Sequence, residues 1–268
     1  MSKKNIFIIG HRGMLGSFVT RYFEDQGYEV LTTDCRYSGG INDPLIRDVV
    51  NSQAEYVVNA GGLIRQKSTD QLMHYLLNAI LPMHLIQSMR SDQKLIHPST
   101  DCVFSGKTGW YDQSDPHDPS DVYGLSKSFG EKVSSDPRTV VIRTSLVGPE
   151  QGTKSGLLAW FLEQDEAVNG YTDHFWNGLT TLEWAKMIFE IVSGERPFPQ
   201  GLMQVGTEEG ISKYNLLMLF KEIWGLNIDV KPCDSGHLVN RTLKPMLIRK
   251  PIRDQLEELK AFSDKITV

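Results

Sequence analysis

The chain has 268 residues, enough for one large domain or two small ones with a sizeable core. With 40% hydrophobic residues, 23% charged residues and a formal net charge of -5, it lacks the basic excess that nucleic acid or anionic membrane calls for, so neither is expected as a partner. The start, MSKKNIFIIG, has two lysines before an apolar stretch too short for a signal peptide or a membrane span, and Cys35, Cys102 and Cys233 show neither metal-ligand spacing nor a disulfide framework. A cytoplasmic chain with reduced thiols and no metal is the expectation.

In chain order, NIFII (5–9), YEVLTT (28–33), EYVVNA (55–60), KLIHPS (94–99) and TVVIRT (139–144) read as strands, separated by segments long enough for crossover helices. This alternation predicts an α/β chain with a doubly wound parallel sheet, the Rossmann arrangement, over residues 1–150. The stretch STDQLMHYLLNAILPMHLIQSM (68–89) has helical periodicity, with Pro82 placed to kink or restart it. After RTSLVGPEQG the alternation stops. Gly, Asn, Trp and Thr cluster in VNGYTDHFWNGLTT (168–181), before amphipathic helices around LEWAKMIFEIV (182–192) and YNLLMLFKEIW (214–224). A smaller, substrate-binding region over 151–268, interleaved with the first, is predicted there.

Between the first strand and the first helix lies GHRGMLGS (10–17), with Gly10, Gly13 and Gly16 three residues apart and Met14 and Leu15 in the same turn. Glycines here allow a tight turn, the approach of a pyrophosphate and close packing of helix on strand, while the helix N-terminus offers free N–H groups to an anion. Such a turn alone is equally a structural device, but Asp34 follows at the end of the second strand, where a ribose hydroxyl is held in dinucleotide sites.

VYGLSK sets Tyr123 and Lys127 four residues apart, on one face of a helix. A neighbouring ammonium is expected to lower the tyrosine pKa and fit it for proton transfer. HPSTDCVFSG supplies Ser99 and Thr100 just after the fourth strand, at the sheet edge where doubly wound folds bind ligands. Either pattern singly has an ordinary reading, a helix-surface pair or a Ser/Thr turn.

Taken together, GHRGMLGS, VVNAGG, LLNAILP, STDCVFSG, VYGLSK and VIRTSLVG, in that order, resemble the extended short-chain dehydrogenases/reductases, and within them the dTDP-4-dehydrorhamnose reductase group. The resemblance implies a catalytic triad of Thr100, Tyr123 and Lys127, with Tyr123 as proton donor and Lys127 also holding the nicotinamide ribose. It implies that Gly10, Gly13 and Gly16 bind the pyrophosphate and that Ala60 and Gly61 line the cofactor. The reaction implied is reduction of a nucleotide-linked 4-keto-6-deoxysugar in surface polysaccharide precursor synthesis, by an enzyme that is a homodimer by the same resemblance.

Departures narrow the choice. Asp101 is followed by Cys102 where the related dehydratases carry Asp-Glu, so elimination loses its base. GDP-fucose synthase has its epimerising cysteine at the place of Cys102, which leaves open a dual epimerase/reductase with His174 as second acid/base, against the plainer reading of a small buried residue. A non-catalytic dinucleotide-binding subunit, like the regulatory subunit of methionine adenosyltransferase, is the competing class. Its sign would be loss of Tyr or Lys, and both are present. Asp34 favours a free 2′-hydroxyl, while Arg12 and Arg36 either grip a 2′-phosphate or are solvated charge, so NADP(H) is favoured and NAD(H) allowed. In the C-terminal region Lys154 and Arg241 are the candidates for the nucleotide diphosphate, and Trp176 either stacks on the substrate or packs in the core.

Overall fold

The computed structural model describes residues 5–150 and 155–266. All five predicted strands form: β1 (Asn5–Ile9), β2 (Glu29–Thr32), β3 (Tyr56–Asn59), β4 (Lys94–Ser99) and β5 (Thr139–Arg143). The strands pair in parallel. Alternate side chains explain the layering. Ile6, Ile8, Val58, Ile96, Val140 and Ile142 pack beneath α1 (Met14–Asp25) and α7 (Thr181–Ser193), while Phe7, Ile9, Val57, Leu95 and Val141 pack on α2 (Pro44–Asn51) and α4 (Leu81–Ser88). Each such aliphatic residue, fully buried, contributes about 1.5–3 kcal/mol.

Two strands from beyond residue 150 complete this sheet. β10 (Gly201–Thr207) pairs with β5, and β14 (Leu247–Arg249) with β10, giving the order β14-β10-β5-β4-β3-β1-β2. The intervening chain forms short ladders: β6 (Leu146–Val147) with β9 (Leu179–Thr180), β7 (Val168–Tyr171) with β12 (Val230–Cys233), and β8 (His174–Trp176) between β11 (Ile211–Ser212) and β13 (Val239–Asn240). α6 (Leu157–Phe161), α8 (Lys213–Trp224) and α9 (Ile252–Ile266) cover them. Among the described residues, no helix is long and apolar enough to cross a membrane.

The expected helix over 68–89 divides into α3 (Gln71–Tyr75), a widened π turn (Leu76–Ile80) and α4, with Pro82 in the first turn of α4. Proline has no N–H for the carbonyl four residues back, that of Asn78. The helix widens there, and Gly130 packs so closely that a Cβ would lie 2.1 Å from the Asn78 oxygen.

Candidate active site

Strand order reverses around β1, which lies between β2 and β3, and the crevice opens at their carboxyl ends. Gly10 turns the chain at φ +77°, and a Cβ on it would meet the Gly61 nitrogen at 2.8 Å. Gly13 begins α1 and donates its N–H to the Gly10 oxygen (2.9 Å), and a Cβ on Gly16 would lie 2.2 Å from that oxygen. α1 has no side-chain cap and no acidic residue in its first turn, so its leading N–H groups face the cleft unneutralised. Gly13, Met14 and Leu15 line that cleft of about 270 Å³ with Ala60 and Gly61 opposite. An uncapped helix end behind glycines too tight for any side chain fits the pyrophosphate of a dinucleotide.

Asp34 follows β2 and is exposed; Arg12 pairs with it at 2.7 Å, and His11 lies 3.6 Å away. The carboxylate that would hold a 2′-hydroxyl is thus partly neutralised by the arginine that would face a 2′-phosphate. Arg36 is exposed nearby.

The chemical groups meet at the other end of the same cleft. β4 ends at Ser99, and the extended Thr100 caps a single 3-10 turn (Asp101–Val103), its hydroxyl accepting from the Cys102 N–H (3.1 Å) and donating to Asp101 (3.1 Å). α5 (Val122–Gly130) begins where Asp121 accepts from the Gly124 N–H at 2.8 Å, which sets Tyr123 in its first turn and Lys127 one turn on. Thr100, Cys102, Tyr123 and Lys127 all line the cleft, and the Thr100 hydroxyl is close enough to the Tyr123 phenol to act on its pKa.

The electrostatics correct one expectation. Burial, with Cys102 and Asp101 nearby, raises the Tyr123 pKa above its ordinary value; Lys127 does not lower it. The lysine instead donates to the Pro98 carbonyl (3.0 Å), and burial brings its own pKa down to about 8 against the opposing pull of Glu131. Cys102 is likewise pushed up to about 12 by burial and Asp101. A thiol so held is no base at neutral pH.

The substrate-side candidates divide. Arg241 is held by the Phe104 carbonyl (Nε, 3.0 Å) and the Ser120 hydroxyl (3.2 Å). Trp176 is 2% exposed and packed in the core under α8, so the packing reading holds for it rather than an open stacking surface. His174 lies against Tyr171 and the Ser235 hydroxyl, away from the cleft lining. Lys154 falls outside the described residues.

The sequence model of the RmlD substrate binding domain family matches residues 4–247. The chain belongs to this family. The spore coat polysaccharide biosynthesis protein SpsK of Bacillus subtilis (strain 168) is 26% identical over 250 residues, 90% of this chain and 86% of that protein. The dTDP-4-dehydrorhamnose reductase of Aggregatibacter actinomycetemcomitans is 30% identical over 155 residues, 55% of this chain and 53% of the relative. The crystal structure of the Bacillus anthracis dTDP-4-dehydrorhamnose reductase in complex with NADP superposes with a TM-score of 0.82 at 18% identity, covering 98% of this chain and 99% of the other.

Several residues around this RmlD-type cleft escaped the sequence reading. Asn78, in the π turn, accepts from the Leu63 N–H and donates to the Leu63 carbonyl (both 2.9 Å) and to the Ser126 hydroxyl (3.0 Å), tying the cleft wall to α5. Lys67 pairs with the buried Glu150 at 2.5 Å, both in the lining. Beneath Thr100, Ser99 donates to Glu131 (2.5 Å); Arg143 grips the same carboxylate with two nitrogens (3.0 and 2.7 Å) and also reaches Gln204 and His117. Each contact joins segments 12 or more residues apart, which no local spacing reveals. LLNAILP, with a proline four residues after Asn78, is the one signal that pointed to its place.

Proposed function

We propose that the protein is an NAD(P)H-dependent reductase of a nucleotide-linked 4-keto-6-deoxysugar, working in the cytoplasm on precursors of surface polysaccharide. One observation carries this reading: Thr100, Tyr123 and Lys127 open onto the same cleft as an uncapped helix N-terminus with a glycine cradle. The reductase and polysaccharide-synthesis names among its relatives support the substrate class.

A nicotinamide held in this cleft would supply hydride to the sugar carbonyl carbon. The residues of this chain do the rest. N–H groups at the start of α1 would hold the pyrophosphate, with Ala60 and Gly61 also in the lining. Tyr123, kept protonated by its burial, gives its phenolic proton to the carbonyl oxygen as negative charge develops there. Thr100 orients that phenol and the same oxygen. The Lys127 ammonium would hold the nicotinamide ribose. NADPH is favoured, with Arg12 and Arg36 near the 2′-position, and NADH is tolerated through Asp34. Retention of all three chemical groups in one cleft favours catalysis over a binding-only subunit, and the protonated Cys102 favours plain reduction over coupled epimerisation.

The test is nicotinamide oxidation by the purified protein over dTDP-, UDP- and GDP-linked 4-keto-6-deoxysugars, with NADPH and NADH. Turnover on at least one sugar, faster with NADPH, is expected. Cofactor binding without turnover on any of them would overturn the reading.

A pH dependence follows from Lys127. Its folded-state pKa of about 8 means that the ammonium is present below that pH and is lost as pH rises through it. kcat/KM, which reports the free enzyme, therefore falls above about pH 8. A profile flat from pH 7 to 10 would contradict the assigned role. Tyr123, shifted upward, cannot supply that limb.

The chain is further read as a homodimer. α3 and α5 expose Leu72 (80%) and Phe129 (46%), with the Tyr75 ring 6.0 Å from that of Phe129. A sedimenting mass of a single chain at micromolar concentration would refute it.

A further inference from the structure

After β3 and after β6 the chain leaves the central sheet toward opposite faces. The segment after β3 leads to α3 and α4, where Leu76, Leu81 and Leu85 pack with α2 on one face. The segment after β6 leads to α6, where Leu158 and Phe161 pack with Phe18 of α1 on the other. The crevice at the carboxyl ends of the strands lies between the two. Lys67 belongs to the first segment and Glu150 to the second, both side chains are in the cleft lining, and their ion pair at 2.5 Å joins the two walls across the crevice.

The two halves of the bridge are held differently. Glu150 is 3% exposed, and its Oε2 accepts from the N–H groups of Ser155 (2.8 Å) and Gly156 (3.1 Å) at the start of α6. Burial would raise its pKa, but Lys67 and those two N–H groups outweigh burial and hold the carboxyl below its ordinary range. A Cβ on Gly156 would lie 3.3 Å from the Met14 sulfur, so this wall rests against the uncapped first turn of α1. Lys67 is 31% exposed and stands in a loop anchored at both ends, by Asn78 on Leu63 and by His74 Nε2 on the Ser68 carbonyl (2.9 Å). Between those anchors the loop turns on a bond from the Lys67 N–H to the Ile64 carbonyl (3.0 Å), and Arg65 reaches Asp121 at 3.8 Å. When the Lys67 ammonium swings out into water, the carboxylate keeps its two backbone donors, so opening strands neither charge. A bridge made this way opens at little cost and closes again.

We propose that Lys67 and Glu150 form a bolt over the nicotinamide cofactor, which parts to admit it, re-forms across it and so sets the rate at which it leaves. This rests on the cofactor reading of the cleft given above. Neither residue takes part in hydride or proton transfer; the pair keeps the dinucleotide seated between the start of α1 and Lys127.

The experiment is stopped-flow displacement of NADPH, followed by its fluorescence in the absence of any sugar nucleotide. It compares the wild type with Lys67→Met, Glu150→Gln, the double variant, and the reversed pair Lys67→Glu/Glu150→Lys. Glutamine keeps an oxygen for the Ser155 and Gly156 N–H groups, so the fold is expected to hold. Dissociation accelerates by about tenfold in each single variant, goes no faster in the double variant and slows again in the reversed pair, with thermal midpoints unchanged. Wild-type dissociation in both single variants would overturn the proposal. So would acceleration in Lys67→Met alone, which makes the lysine a direct cofactor contact, or acceleration that tracks a falling thermal midpoint, which makes the pair a structural tie. A wild type that binds neither NADPH nor NADH also overturns it. A wild type that binds NADPH but oxidises it with no sugar nucleotide fails the reductase reading alone, because dissociation is read without turnover.

Discussion

Tyr123→Phe lowers kcat by about two to four orders of magnitude, the range typical of losing a positioned general acid. The variant keeps its ring, which stands 6.3 Å from that of His74, and loses only its hydroxyl. Folding is therefore expected to be unaffected, and the loss falls on kcat and kcat/KM together because the proton moves in the transition state. Steady-state nicotinamide oxidation at saturating sugar nucleotide, with cofactor affinity measured alongside, checks this. A variant that reduces substrate at the wild-type rate would remove Tyr123 as the proton donor.

Arg143→Met destabilises the fold by about 3–5 kcal/mol, because it leaves the Glu131 carboxylate buried without its cation. The arginine side chain is 1% exposed and the glutamate 6%. Nε and Nη2 face the carboxylate, Nη2 also meets His117, Nη1 reaches Gln204, and the guanidinium carbon sits 5.0 Å over the Phe104 ring. A fall in thermal midpoint of about 10 °C is expected for a chain of this size. Adding Glu131→Gln to the same chain removes the stranded charge and recovers part of the loss. An unchanged midpoint in the single variant, or a double variant less stable than both singles, would show that the pair does not carry this weight. Ser99 joins the network immediately before Thr100, so the single variant also slows catalysis by loosening that turn.

Much of the architecture could be read from local pattern because local pattern made it. The strands at 5–9, 56–59, 94–99 and 139–143 are short apolar runs buried on both faces, and the helices at 181–193 and 213–224 carry capping residues, Thr180 and Ser212, directly ahead of them. The strand at 201–207, GLMQVGT, is diluted by two glycines, a glutamine and a threonine and has no such signature, and its pairing with β5 joins residues 61 apart in sequence, as Gly201 with Val140, which periodicity does not reveal. The site divides in the same way. Gly10, Tyr123 and Lys127 belong to compact motifs, whereas Lys67 is one of 28 basic residues until the fold places it against Glu150. The sign of the Tyr123 shift was misread because four-residue spacing reveals a neighbouring amine but neither the depth of burial nor that the amine is turned to the Pro98 carbonyl.

α5 is clamped near both ends by glycines. A Cβ on Gly124 would lie 2.0 Å from the Cys102 oxygen, and one on Gly130 2.1 Å from the Asn78 oxygen. The helix that carries the proton donor therefore has almost no freedom to slide or roll. Anyone seeking to redirect this protein to a new sugar should leave that helix alone and vary positions that do not pack against it.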